Sequence, residues 1–303
     1  MVLKNKIHEM NNLLFCSASL LLLAAVRGRP GNENRKRRVV LVGSGPGAID
    51  LITLRGFDLI SKADFIVHDR LVSPKLLDGV KPSAILINVG KGPEKDRYKQ
   101  SEINEELIRL ATDTHNEYRV FPGAIIVRLK GGDPFVYGLG GDEVLALKQH
   151  GISCQVVPGI SSALAVPATV GIPLTHKGVA TSFTVLTGHI PPGQTGGADW
   201  DNLPRTLSTL VILMGVKHLQ VICGHLVDQG WNAHTDVAIV ESGTTDAQRV
   251  ALSTLGQIGE IADKVKSPAI IVVGEVCTVL GLPVENSDEI SSNEVWGVAR
   301  SPV

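Results

Sequence analysis

From Val39 onward, short runs that are apolar almost end to end alternate with stretches in which apolar residues recur every three or four positions. The first kind suits strands buried on both faces of a parallel sheet, and the second suits amphipathic helices laid across it. VVLVG (39–43), DFIVHD (64–69), AILINVG (84–90), AIIVRLKG (124–131) and CQVVPG (154–159) read as strands. Between them, 50–63 carries Leu51, Leu54, Ile60 and Ala63 at near-helical spacing, and 102–112 does the same with Ile103, Leu107 and Leu110, which predicts crossover helices.

After Pro158 the pattern restarts. ISSALAVPATVG (160–171) predicts a helix, and SFTVLTG (182–188), TLVILMG (209–215), DVAIVESG (236–243), RVALSTL (249–255) and AIIVVGEV (269–276) predict strands. The expected fold class is α/β: two α/β domains, 38–158 and 159–281, with mainly parallel or mixed sheets and a ligand cleft between them. PPGQTGGADWDNLP (191–204) reads as a surface loop, and 282–303, with its ENSDEISSNE run, as a polar tail outside the fold.

The first 37 residues differ from all of this. Residues 13–26 are apolar or small, follow a start containing Lys4 and Lys6, and precede the basic run RGRPGNENRKRR. They fall short of the roughly 20 residues a membrane-crossing helix needs, so no stable span is expected. The segment reads either as a targeting leader, leaving a soluble catalytic body in the cytoplasm or an organelle, or as an N-terminal extension with no address.

The charge balance is 29 basic against 30 acidic residues, a formal net charge of −1. There is no general attraction for nucleic acid or an anionic membrane, so an anionic ligand must be met by locally placed cations. The few aromatic residues (Phe 6, Trp 3, Tyr 3) argue against a platform for stacking single-stranded bases. Cys16, Cys154, Cys223 and Cys277 form no C-x-x-C pair, which points to reduced thiols and no zinc site, and no metal is expected.

Glycine-rich loops mark the candidate chemistry. Gly43, Gly45 and Ala48 fit G-x-G-x-x-[G/A] after the first strand, and Asp69 ends the second strand where a ribose-binding acid would sit. Alone this suggests a nicotinamide enzyme, although Pro46 has no N–H to offer a pyrophosphate; a tight turn is the alternative. The second loop weighs more. Gly131, Gly132, Gly138, Gly140 and Gly141 follow a buried strand, an entropic cost that suits close approach of backbone to a ligand. Asp133 in that loop is a candidate acceptor for a ribose or ammonium group. Ser161 and Ser162, Met214, and the 241–245 loop end elements of the second half, where both sets of loops can converge. Read alone, Met214 is equally a core filler and Asp69 a turn cap.

GSGPG (43–47), HDRLVSP (68–74), VGK (89–91), VRLKGGDPFVYG (127–138), VVPGISSA (156–163), GIPLTH (171–176), TGH (187–189), VILMG (211–215), VESGTT (240–245), QRV (248–250) and SPAIIVVGEV (267–276) together resemble the tetrapyrrole methylases, and within them the branch that methylates uroporphyrinogen III. The resemblance runs from about Val39 to about Val279. It implies S-adenosylmethionine as cofactor, bound in the cleft and leaving as S-adenosylhomocysteine. A small-molecule tetrapyrrole would be the substrate, methylated at C2 and C7 to precorrin-2 on the sirohaem and cobalamin route, and the assembly would be a homodimer. It further implies cofactor contacts at Pro46, Gly131, Gly132, Asp133, Val136, Ser161, Ser162, Met214, Gly243 and Ala269, with Asp69 as proton acceptor and Lys91 as proton donor.

A substrate with eight carboxylates demands cations at the rim, and Lys91, Arg70, Lys130, His176 and Lys177 are the candidates. The chain departs from the family pattern at Ala48, where Asp is common, and at Gly92 and Leu139, where Arg is common; THNEYRVFPG (114–123) is an added segment. No dehydrogenase or ferrochelatase module is expected beside the methylase. The competing readings are another tetrapyrrole methylase such as a precorrin methylase, diphthine synthase, a nicotinamide dehydrogenase, or an inactive cofactor-binding relative.

Overall fold

The structure is a computed structural model that describes residues 37–90, 98–112, 123–281 and the backbone of 294–297. Five strands, β1 (Arg38–Gly43), β2 (Phe65–His68), β3 (Ile85–Asn88), β4 (Ile125–Lys130) and β5 (Cys154–Val157), form one sheet in the order β3-β2-β4-β1-β5. Every pairing in it is parallel. Successive residues alternate between two apolar layers, as strand geometry requires. Val39, Leu41, Val67 and Ile126 pack with Ile103, Leu107 and Leu110 of α3 (Gln100–Thr112) and Leu147 of α4 (Gly140–Gln149). Val40, Val42, Ile66 and Val127 pack with Leu59 and Ile60 of α1 (Leu54–Lys62) and Leu76 of α2 (Pro74–Leu77).

The second sheet has six strands: β6 (Ser182–Thr187), β7 (Ser208–Leu213), β8 (Asp236–Glu241), β9 (Arg249–Thr254), β10 (Ala269–Val273) and β11 (Glu294–Gly297), in the order β11-β9-β8-β10-β7-β6. It is mixed: β6 and β7 are parallel, as are β9 and β11, whereas β10 runs antiparallel to both β7 and β8. Leu219, Ile222, Cys223 and Leu226 of α6 (Leu219–Asp228) cover one face, and Ala163 and Val166 of α5 (Ser162–Thr169) pack on the other.

Two expectations are revised here. The predicted helix over 50–63 is broken: a 3₁₀ turn at Ile49–Leu51 precedes α1, whose first turn is set by Thr53, with its Oγ1 accepting from the Gly56 N–H at 3.1 Å. The polar tail contributes strand β11, an edge strand beside β9. Residues 1–36, Lys91 to Arg97, 113–122, 282–293 and 298–303 lie outside the described residues, and with them the leader segment, Lys91, Gly92 and most of the added segment. Among the described residues no helix is long and apolar enough to cross a membrane.

Candidate functional site

In a parallel sheet all the loops that follow strands emerge on one edge, so 44–48, 69–73, 131–139 and 158–161 are neighbours by topology. They are also locked together. Gly45 and Gly132 exchange backbone hydrogen bonds (3.2 and 2.8 Å), and Ser44 N–H donates to the Lys130 carbonyl at 2.7 Å. Gly43, Gly132 and Gly159 meet backbone to backbone: a Cβ on Gly43 would lie 2.5 Å from Gly159 N and 2.6 Å from Gly132 O. Only glycine permits that approach.

Asp133 holds this junction. Its Oδ1 accepts from Phe135 N–H at 2.8 Å and its Oδ2 from Gly159 N–H at 3.1 Å, so the carboxylate ties the second glycine loop to the segment leading into the other half. The sequence singled out Asp133 as a ligand acceptor; in the structure each of its oxygens first serves the chain's own backbone.

The loops of the second half come to the same place. Ser161 caps α5, its hydroxyl accepting from Ala163 N–H at 3.3 Å, and a Cβ on Gly132 would lie 3.8 Å from Ser162 N. Ala48 N–H donates to Thr244 Oγ1 at 3.0 Å, and a Cβ on Gly47 would meet Thr244 and Thr245 at 3.0 Å. Tyr137 Oη donates to the Val185 carbonyl at 3.0 Å, tying the second glycine loop to β6. Because β7 and β8 run the same way and β10 runs between them in the opposite sense, Met214, Gly243 and Ala269 share one edge of the second sheet. Gly132, Asp133, Ser161 and Ser162 are thus drawn together by direct contacts and Gly243 lies beside Gly47, while Pro46 and Gly131 sit in the same two glycine loops and Met214 and Ala269 on the adjoining edge; Val136 is exposed on the 131–138 loop.

Backbone strain is concentrated here. Among the described residues six non-glycine positions have φ between +46° and +68°, and Tyr137, Leu139, Met214, Ser242 and Thr244 belong to these loops. Such conformations cost on the order of 1 kcal/mol or more each and persist where surrounding structure enforces them. Met214 is 47% exposed, which removes the core-filler reading. The dinucleotide reading also weakens: the first glycine loop leads into Thr244 and a 3₁₀ turn instead of a helix N-terminus, so no row of amides faces a pyrophosphate.

Asp69 follows β2, and its carboxylate caps no turn. Its Oδ1 pairs with Arg128 Nη2 at 2.5 Å, while Oδ2 lies 3.9 Å from Lys130 Nζ. Behind these cations Glu143 Oε1 accepts from Arg128 Nε (3.1 Å), Lys130 Nζ (2.8 Å) and Gln100 Nε2 (3.2 Å). The side chains of Arg128, Lys130 and Glu143 are 1%, 3% and 0% exposed, against 30% for Asp69. Lys130 is therefore not a rim cation. Burial, and secondarily Arg128, holds its ammonium below the usual lysine range, while Glu143 and Asp69 act in the opposite direction. Arg128 and Glu143 escaped the sequence reading. Their signal was two cations at alternate positions, on one face of a strand otherwise apolar on both sides, which requires a buried acid opposite.

Of the other rim candidates, Arg70 is exposed beside Asp69, whereas His176 and Lys177 precede β6, next to the end of the sheet away from Met214 and Gly243. A depression of about 370 Å³ lined by Phe135, Tyr137, Leu139 and Asp142 adjoins the second glycine loop. A cavity of about 420 Å³ lined by Arg205, Trp231, His234 and Glu275 lies near Asp236, at the far end of β8. Among the described residues no cluster of His, Cys, Asp and Glu could hold a metal ion, and Cys154, Cys223 and Cys277 are free thiols.

The chain is similar in sequence and fold to known proteins. The chain is 47% identical over 246 residues to the uroporphyrinogen-III C-methyltransferase of Methanocaldococcus jannaschii, covering 80% of this chain and 98% of that protein. It is 43% identical over 241 residues to the enzyme of the same name from Priestia megaterium, covering 79% and 98%. The crystal structure of uroporphyrin-III C-methyl transferase from Thermus thermophilus complexed with S-adenyl homocysteine superposes with a TM-score of 0.67 at 37% identity, covering 80% of this chain and 94% of that one. The sequence pattern of the tetrapyrrole (corrin/porphyrin) methylases matches residues 38–259, and the chain belongs to that family.

Proposed function

We propose that the chain transfers methyl groups from S-adenosylmethionine to C2 and C7 of uroporphyrinogen III, giving precorrin-2. The observation that carries this reading is the likeness, over four fifths of the chain, to uroporphyrinogen-III C-methyltransferases. The geometry fits the cofactor. A Cβ at Gly131 would touch only Leu71 Cβ at 3.5 Å, and one at Gly132 would meet nothing nearer than 3.8 Å, so bare backbone faces an open side where a ligand can lie against it. Exposed Met214 offers an apolar contact on the adjoining edge, and Ser162 a hydroxyl.

When bound, S-adenosylmethionine supplies a methyl group on a positively charged sulfur. The chain's part is to hold donor and pyrrole carbon in line and to keep water away from them. Pro46, Gly131, Gly132, Asp133, Val136, Ser161, Ser162, Met214, Gly243 and Ala269 form the cofactor-facing set. The methylated ring must then release a proton. Asp69, partly exposed and with Oδ1 engaged by Arg128, presents Oδ2 as the acceptor. Lys91 completes the reading as proton donor, and Arg70 faces the substrate's carboxylates. Exposed Phe135, Ile160 and Leu164 are apolar positions that a homodimer would cover.

Incubation with uroporphyrinogen III and methyl-labelled S-adenosylmethionine under reducing conditions tests the reading. The expected product carries two labelled methyl groups. Label transferred to another tetrapyrrole but not to this one would reassign the substrate.

A further inference from the structure

We propose that Glu143 is a positioning residue for Asp69, acting through Arg128 and Lys130. The inference rests on Asp69 being the proton acceptor of the reaction.

Arg128 spans the distance between the two acids. Its Nε is on Glu143 Oε1, its Nη2 on Asp69 Oδ1, and its Nη1 lies 3.3 Å from the carbonyls of Val67 and Leu129. A planar guanidinium fastened at every side cannot rotate, so the orientation of the Asp69 carboxylate is set from the interior of the sheet. One oxygen is consumed in that contact. The other lies 3.9 Å from Lys130 Nζ, and Lys130 is itself anchored on Glu143 Oε1. Three donors converge on that single oxygen, and Glu143 Oε2 accepts no hydrogen bond among the described residues. A fully buried carboxylate that takes two of its three donors from the cations serving a partly exposed acid has a job at that acid.

The charges close as well. Arg128 and Lys130 on β4 balance Glu143 on α4 and Asp69 after β2; among the described residues the other charged or titratable groups next to Asp69 in the chain are His68, whose Nδ1 lies 3.3 Å from the Asp69 carbonyl, and Arg70. Glu143→Gln keeps the shape and leaves two buried cations against one acid. Lys130, already biased toward losing its proton by burial, then sheds it more readily, and Oδ2 of Asp69 loses its neighbouring charge.

The test uses the full chain, labelled S-adenosylmethionine and single-turnover rates, so that slow variants remain measurable. Glu143→Gln should lower the rate about 10- to 100-fold, as small misplacements of reacting groups do. Binding of S-adenosylhomocysteine should stay within about twofold of wild type, and the alkaline limb of the pH–rate profile should move toward neutrality as Lys130 titrates earlier. In an Asp69→Asn background the same change should cost less than about twofold, because a residue that acts through Asp69 has nothing left to position.

An undiminished rate in folded Glu143→Gln, or an equal loss in both backgrounds, overturns the proposal. Full turnover in Asp69→Asn alone removes the reading beneath it, and is distinguishable because Glu143 is then unaltered. Should Glu143→Gln fail to fold, Glu143→Gln with Lys130→Met removes a neutral pair and leaves Arg128 on Asp69. The same rate loss is expected there, and a wild-type rate refutes the role.

Discussion

Asp133 offers the sharpest perturbation of the cofactor loops. Replacing it by Ala deletes two hydrogen bonds from backbone amides to a carboxylate, Phe135 N–H at 2.8 Å and Gly159 N–H at 3.1 Å. Hydrogen bonds to charged groups are worth about 1.5 kcal/mol each at the low end of their range, which suits a half-buried side chain, so the pair comes to about 3 kcal/mol. Those bonds hold the second glycine loop against the start of the second half, and their loss lets the loop fluctuate away from its binding geometry. If all of it appears as lost preorganisation, affinity for S-adenosylhomocysteine falls by up to about 100-fold at about 1.4 kcal/mol per decade. Asn at this position can accept one amide but turns its own NH₂ toward the other, so Asp133→Asn should fall between wild type and Ala. Titration calorimetry with S-adenosylhomocysteine, beside thermal melts of each variant, reads both quantities. A Kd within about twofold of wild type in Asp133→Ala would show that the loop keeps its form without this carboxylate.

Gly243→Ala places a methyl 2.4 Å from Val166 Cγ1 and 2.7 Å from Cγ2, an overpacking cost of about 1–3 kcal/mol. Adding Val166→Ala removes both contacts, so the double variant should recover cofactor binding that Gly243→Ala loses; no recovery in calorimetry refutes the packing argument. Burial pushes the Cys223 and Cys277 thiols up to about 12 from an ordinary value of 9.0. The folded chain then keeps protons that the unfolded chain releases, and stability falls as pH rises from about 9 toward 12, at up to about 1.4 kcal/mol per unit per thiol. Denaturation curves of Cys223→Ala/Cys277→Ala between pH 8 and 10 should be flatter than wild type, and an equal slope contradicts this. Leu139→Arg puts a cation on the exposed rim, and the KM for an octacarboxylate substrate should fall about two- to fivefold, an effect erased by salt. An unchanged KM at low ionic strength would show that this rim does not face the substrate.

The parallel sheet was readable because VVLVG, FIVH and AIIV have no polar face to mistake for a surface, and α3 was readable from Ile103, Leu107 and Leu110. The break before α1 was harder: Leu51 and Leu54 continue the helical spacing, and only the Thr53 hydroxyl, matched to the Gly56 amide, marks the start. Strand β11 was hidden by a polar flank that outweighs four residues in any window, and its pairing with β9 is a long-range event no local pattern carries.

The glycine loops stood out because close backbone contacts such as Gly43 with Gly159 tolerate no other residue. The buried network behind Asp69 did not, because Lys130 in a motif next to a loop looks like a surface cation until the strand's alternation is followed. Positions 126, 128 and 130 share a face, and Ile126 is core, so Arg128 and Lys130 point inward and need Glu143.

A crystal structure of the chain grown with S-adenosylhomocysteine tests the account most directly. The ligand should lie along the Gly131–Asp133 backbone, bounded by Ser161, Met214 and Gly243, with its sulfur directed toward the Asp69 carboxylate. Ligand bound away from these loops, or with its sulfur turned from Asp69, would contradict both the cofactor site and the base assigned beside it.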